Sequence, residues 1–85
     1  MSQEDISRSV ESFLYRECGL KLQPEERAKA LFSSGRLDSM DIVKLIVFLD
    51  RDLGIKVQPF DISVETMDSV ERIAAFVTKC KPDLA

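Results

Sequence analysis

Near the start of the chain, Ile6, Val10, Phe13 and Leu14 follow one another at spacings of four, three and one, so they share one face of a helix from about Gln3 to Cys18. Ser2 with Asp5 three residues on forms a capping box in which Asp replaces Glu, and Gly19 supplies a C-terminal stop. A second stripe, Ile42, Leu45, Ile46, Leu49 and Leu53, predicts a helix that begins in "DSM", residues 38 to 40, and ends at Gly54. A third, Val70, Ile73, Ala74 and Val77, predicts a last helix from Ser69 to about Lys79, with Asp68 and Glu71 as another capping box variant.

The segments between these stripes read differently. From Leu20 to Leu37 the pattern breaks into a long connection of the kind that joins helices which are not simple hairpin neighbours. Pro24 can open a short helical turn there, Leu20, Leu22, Leu31 and Phe32 pin the connection across the core, and "SSG", residues 33 to 35, is a turn. After Gly54, "IKVQPFDISVETM" is interrupted by Pro59 and leaves room for at most one short helical turn, around Phe60 to Ser63. Phe60 and Ile62 are expected to cover the groove beside the second long helix, as core or as the wall of a cavity. No strand is predicted, although "IKV" alternates for three residues. The fold expected is all-α, a small helical bundle of three main helices plus one short helix, forming one domain over residues 1–85.

With 85 residues and 45% hydrophobic content the chain can build one core but not a deep catalytic pocket as well, which points to a carrier, adaptor or binding module and not an enzyme. It contains no His, the usual general base and commonest metal ligand, and its two cysteines, Cys18 and Cys80, cannot make a zinc set; they are expected to be free thiols. A formal charge of -3, a pI near 4.9 and scattered Lys and Arg argue against a nucleic-acid partner. The longest apolar run, "LIVFL", is far short of the roughly 20 residues needed to span a bilayer, and the polar start is unlike a secretory signal. The expectation is a soluble cytoplasmic protein.

Two Asp-Ser pairs, Asp38-Ser39 and Asp68-Ser69, stand before helical stripes. Local chemistry explains both as helix starts, with Asp at the cap accepting a backbone N–H for roughly 1 kcal/mol and Ser as the first helical residue. Their surroundings differ. The run "LFSSGRLDSMDIVKLIVFLDRDLGIKV", residues 31 to 57, resembles the acyl carrier and peptidyl carrier protein family, in which a turn with Gly leads into Asp-Ser-Leu. The likeness covers nearly the whole chain and is specific at Gly35, Leu37, Asp38 and Ser39; Met40 stands where Leu is usual, as in stand-alone D-alanyl and aminoacyl carriers.

The resemblance implies that Ser39 carries a 4'-phosphopantetheine arm, that Asp38 caps the helix and helps place magnesium and the transferase during loading, and that no residue of the chain is catalytic or a resident metal ligand. It implies as partners a phosphopantetheinyl transferase, an adenylating or acyl-transfer enzyme and a downstream acceptor enzyme, each met by a monomer. Ser69 is left with capping or simple exposure. In such carriers the exposed stripe of the second helix is the main docking surface; here it holds Met40, Lys44, Val47 and Arg51. Lys44 and Arg51 stand where fatty-acid carriers usually place acids, so partners with a mainly apolar contact and carboxylates for these cations are expected. A small or amino-acid-like cargo is preferred to a long sequestered chain. The alternative is an unmodified carrier-like adaptor that binds a partner through the same helix face.

Overall fold

The computed structural model describes residues 2–81. The three stripes become helices α1 (Gln3–Cys18), α2 (Ser39–Leu53) and α4 (Val70–Cys80), with a four-residue helix α3 (Val64–Met67) before the last. Two 3-10 turns, Pro24–Glu26 and Pro59–Asp61, punctuate the connections, and no strand occurs among the described residues. The expected all-helical bundle of three main helices and one short one is therefore observed.

Helices α1 and α2 start and stop where the sequence places their caps. In α1 the Ser2 hydroxyl accepts the Asp5 N–H at 3.2 Å while the Asp5 carboxylate accepts the Ser2 N–H at 3.2 Å. Gly19 and Gly54 end α1 and α2 at φ 67° and 69°, a left-handed conformation that costs a side-chain-bearing residue about 1 kcal/mol or more.

The apolar faces then close on one another, with α1 meeting α4 most broadly. Ile6, Val10, Phe13 and Leu14 are buried against Val70, Ile73, Ala74, Phe76 and Val77, and α2 contributes Leu45, Phe48 and Leu49. Ile42, Ile46 and Leu53 are half-buried at the margin of that face. Phe48 and Phe76 lie outside the stripes that periodicity selects. Phe48 stacks on Phe13, ring centroids 4.7 Å apart and planes at 20°, an arrangement worth about 0.5–1.5 kcal/mol beyond burial. The long first connection is pinned as expected, with Leu31 fully buried and Leu20, Leu22 and Phe32 packed against the core.

The segment after α2 departs from expectation. Pro59 opens a 3-10 turn, the Asp61 carboxylate closes it by accepting the Gln58 N–H at 3.1 Å, and extended Ile62 and Ser63 break the helical path before α3 begins at Val64. Two short turns stand where one was expected, and the α-helical one lies four residues later. Phe60, on the first, is 84% exposed and is neither core nor the wall of a cavity.

The start of α4 is also shifted by one residue. Asp68 has helical backbone angles and closes α3, its N–H bonding the Val64 carbonyl at 3.2 Å. Ser69 is the extended N-cap, and its hydroxyl accepts the Arg72 N–H at 3.1 Å. The expected Asp68–Glu71 box is absent because Ser69 does the capping. The Asp68 side chain is left free to reach elsewhere.

Candidate functional site

At the start of α2, Asp38 is extended and turns its carboxylate back on the helix, accepting the N–H groups of Met40 at 3.0 Å and Asp41 at 3.2 Å. The Asp41 carboxylate returns the bond by accepting the Asp38 N–H at 3.1 Å. This reciprocal box was legible, since Asp38 and Asp41 have the spacing of Ser2 and Asp5, but the sequence reading took only its first half. The bond from the Asp38 backbone is the chief cause that holds the Asp41 carboxyl below its ordinary range.

Ser39 is the first residue of α2 and is exposed. It stands at the rim of a shallow groove of about 260 Å³ walled by Phe32, Ile42, Ile62, Val64 and Met67. Ile62 thus lies beside α2 as expected, whereas Phe60 does not line this groove.

The loop that delivers Ser39 is held from within by the Ser34 hydroxyl, which donates to the Ala30 carbonyl at 2.8 Å and accepts the Arg36 N–H at 3.4 Å, and from outside by side chains distant in sequence. The Leu37 N–H reaches the Leu31 carbonyl at 2.9 Å and closes the loop around Gly35, whose φ is 84°. Asp68 Oδ1 accepts the N–H groups of Leu31 at 3.2 Å, Phe32 at 2.7 Å and Ser33 at 2.9 Å, and Oδ2 accepts the Ser33 hydroxyl at 2.6 Å. Asp68 is only 6% exposed, and these bonds, the Ser33 hydroxyl first, hold its carboxyl below 3.8 against the opposing effect of burial. Arg36 adds a bond to Glu26 at 3.0 Å on the surface. Ser69, which mirrors Ser39 in sequence, is 2% exposed.

The four residues singled out on α2 all face outward. Met40 is 66% exposed and Val47 is 50% exposed, with exposed Val43 between them; Val43 was missed, although it lies three residues from Met40 and four from Val47. Arg51 donates to Asp52 at 3.3 Å. Lys44 has a structural attachment that spacing does not reveal. Its ammonium donates to the Glu17 carbonyl at 3.2 Å, at the negative end of the α1 dipole, and lies 4.0 Å from Asp41.

Cys18 and Cys80 are free thiols. Burial, with a hydrogen bond to Asp41, pushes the Cys18 thiol up to about 11, so it is poorly nucleophilic at neutral pH. Among the described residues no three His, Cys, Asp or Glu side chains gather as a metal site, and no helix is long and apolar enough to cross a membrane. No protein-family model matches the chain, and no curated protein matches it.

Proposed function

We propose that this protein is a carrier that holds an acyl or aminoacyl group as a thioester on a 4'-phosphopantetheine arm attached to Ser39 and passes it between partner enzymes. The observation that supports the reading most directly is the exposed Ser39 hydroxyl at the first position of α2, at the end of a pinned loop and on the rim of an apolar groove. That setting fits a flexible arm: the hydroxyl is open to a transferase, and the groove offers apolar surface beside it. When bound, the group supplies the thiol that holds the cargo.

In loading, Ser39 Oγ forms a bond to the phosphorus on the pantetheine side of coenzyme A. The pyrophosphate P–O bond breaks and adenosine bisphosphate leaves. The serine proton passes to a base of the transferase, because this chain has no His and its nearest carboxylates, Asp38 and Asp41, are engaged in the cap. Ser39, as the first residue of α2, would hold the phosphodiester at the positive end of the helix dipole, an attraction worth about 0.3–1 kcal/mol that the cap carboxylates would partly offset. The protein contributes tethering, which raises the local concentration of cargo at a partner without tight binding.

Partners in this reading are the transferase, an adenylating or acyl-transfer enzyme and a later acceptor, met by a cytoplasmic monomer. They dock on Met40, Val43 and Val47 with an acidic group for Arg51. Arg51→Glu should slow charging by the cognate enzyme; unchanged rates would remove the charge from the account. Arg51 is a cleaner probe than Lys44, whose reversal would also break the tie to Glu17. The exposure of Phe60 favours a small or amino-acid-like cargo over a long chain enclosed by the bundle. Large shifts of the Met67 and Ile62 methyl resonances on long-chain acylation would contradict that preference.

The experiment for the reading is intact mass spectrometry after incubation with coenzyme A, magnesium and a broad-specificity transferase. The expected gain is one phosphopantetheine in wild type and Ser69→Ala and none in Ser39→Ala. The exposed apolar stripe of α2 also suits an unmodified adaptor, which predicts no gain in wild type and full cellular function for Ser39→Ala.

A further inference from the structure

The loop from residue 31 to residue 38 ends in the cap of the helix that displays Ser39, and within it the Ser34 hydroxyl donates to the Ala30 carbonyl at 2.8 Å and accepts the Arg36 N–H at 3.4 Å. Its internal backbone bonds are Gly35 N–H to Phe32 at 3.1 Å and Leu37 N–H to Leu31 at 2.9 Å. None of the bonds within the loop engages the N–H groups of Leu31, Phe32 or Ser33. Those are held from outside, where one carboxylate oxygen of Asp68 gathers all three and the other oxygen takes the Ser33 hydroxyl. The Asp68 carbonyl takes a further bond from Leu31 N–H at 2.7 Å. Bonds to an ionised acceptor are roughly twice as strong as neutral ones, and Asp68 itself is only 6% exposed.

The connection onward to Ser39 is short. Leu31 holds Leu37 through the backbone bond between them, both side chains are buried, and Leu37 precedes Asp38, which is locked to Asp41 by the reciprocal cap. A change in the Asp68 grip therefore reaches the serine through one closed loop and one cap. The exposed alternative, the Arg36–Glu26 pair, contributes little, as such surface pairs generally do.

We infer that Asp68 is a positioning residue for modification at Ser39: from the α3–α4 elbow its carboxylate holds the loop from residue 31 to residue 38 in the shape that a phosphopantetheinyl transferase engages. This inference rests on the carrier reading. Asp68 itself never touches the reacting atoms. Its loss populates loop shapes that the transferase cannot engage, and the apparent affinity falls by the fraction of competent molecules.

The test uses the full chain as wild type, Asp68→Asn, Ser33→Ala and Val77→Ala, the last removing buried volume from α4 nine residues beyond Asp68 and taking no hydrogen bond from the loop. Transfer from coenzyme A is followed by intact mass at a temperature where far-UV circular dichroism shows all four folded, and kcat and KM are separated. If the competent fraction drops to about a tenth, Asp68→Asn raises KM about tenfold with kcat little changed, and Ser33→Ala raises it about two- to threefold. Val77→Ala, destabilised in its core, keeps the wild-type KM. In parallel, the amide resonances of Phe32 and Ser33 lie downfield in wild type and move upfield in Asp68→Asn. Should Asp68→Asn not fold, the Ser33→Ala ratio and its amide shifts decide the matter alone.

A wild-type KM in Asp68→Asn or, failing that, in Ser33→Ala overturns the positioning role and leaves the carrier reading standing. A KM raised equally in Val77→Ala overturns it too, because general loosening would then suffice. Absence of transfer to wild-type Ser39 overturns the carrier reading and this inference with it.

Discussion

At Asp38-Ser39 the aspartate occupies the cap, its carboxylate bonds the next turn, and the serine stands exposed as the first helical residue. At Asp68-Ser69 the register slips by one: the serine becomes the cap and is buried, and the freed aspartate reaches across the fold to residues 31–33. The difference teaches that a dipeptide does not define a site. What precedes it decides. A loop closed around Gly35 enters α2 extended, so Asp38 is the last non-helical residue. α3 runs almost directly into α4, so Asp68 is still helical and the chain can extend only at Ser69. The second pair thereby becomes part of what holds the first.

That contrast is broken most severely at Asp68. Asp68→Ala leaves two part-buried backbone donors and a serine hydroxyl without their charged acceptor, which should cost about 3 kcal/mol. For a domain of this size the Tm falls by more than about 12 °C. Asp38→Ala, at an exposed cap, should cost only about 1 kcal/mol. Urea unfolding of both variants measures the gap, and equal losses would contradict the buried role of Asp68.

Acid sharpens the same contrast. The Asp68 carboxyl is held below 3.8 in the fold, chiefly by the Ser33 hydroxyl and then by the Ser33 N–H. A group whose folded pKa lies below its unfolded value contributes stability that is complete above the unfolded value and lost as pH falls through the folded one. Asp41 contributes with the same sign. Wild type should therefore lose stability as pH falls below the ordinary carboxylate range of about 4, and Asp68→Asn less steeply, because one of its linked protons is gone. Parallel curves from urea melts across that range would argue against the assignment.

The two serines give smaller effects of opposite kind. Ser69→Ala removes a cap and should cost about 1 kcal/mol. Ser39→Ala, at an exposed first-turn position, should stay within about 0.5 kcal/mol of wild type while losing the proposed modification altogether. Thermal unfolding of the pair measures this, and a Ser39→Ala loss as large as that of Ser69→Ala would give Ser39 a structural role that its exposure does not suggest.

Much of this architecture was legible because helices write their buried faces at a period of 3.6. Ile6 to Leu14, Leu45 to Leu49 and Val70 to Val77 reveal themselves, as do the glycines that end α1 and α2. Phe48 and Phe76 escaped because they flank their stripes and owe their burial to partners on other helices, Phe13 in the case of Phe48. Phe60 went wrong for a related reason: in a three-residue turn no periodicity fixes which way a side chain points. At the candidate site, local sequence treats Asp38-Ser39 and Asp68-Ser69 alike and only the resemblance of residues 31 to 57 to carrier proteins singled out the first pair, whereas Asp41 and Val43 could have been found from spacing alone. The Asp68 staple and the Lys44 tie join residues 27 to 37 positions apart, and such pairings exist only once the chain has folded.

The central claim is that one of two similar serines carries the arm. Trypsin separates them cleanly, since Ser39 falls in the peptide of residues 37 to 44 and Ser69 in that of residues 57 to 72. The direct measurement is peptide mass mapping of the wild-type protein after incubation with coenzyme A, magnesium and a transferase from its own source. The account predicts one phosphopantetheine on the peptide of residues 37 to 44, with the peptide of residues 57 to 72 unmodified. An unmodified peptide of residues 37 to 44, or a modification on residues 57 to 72, would contradict it.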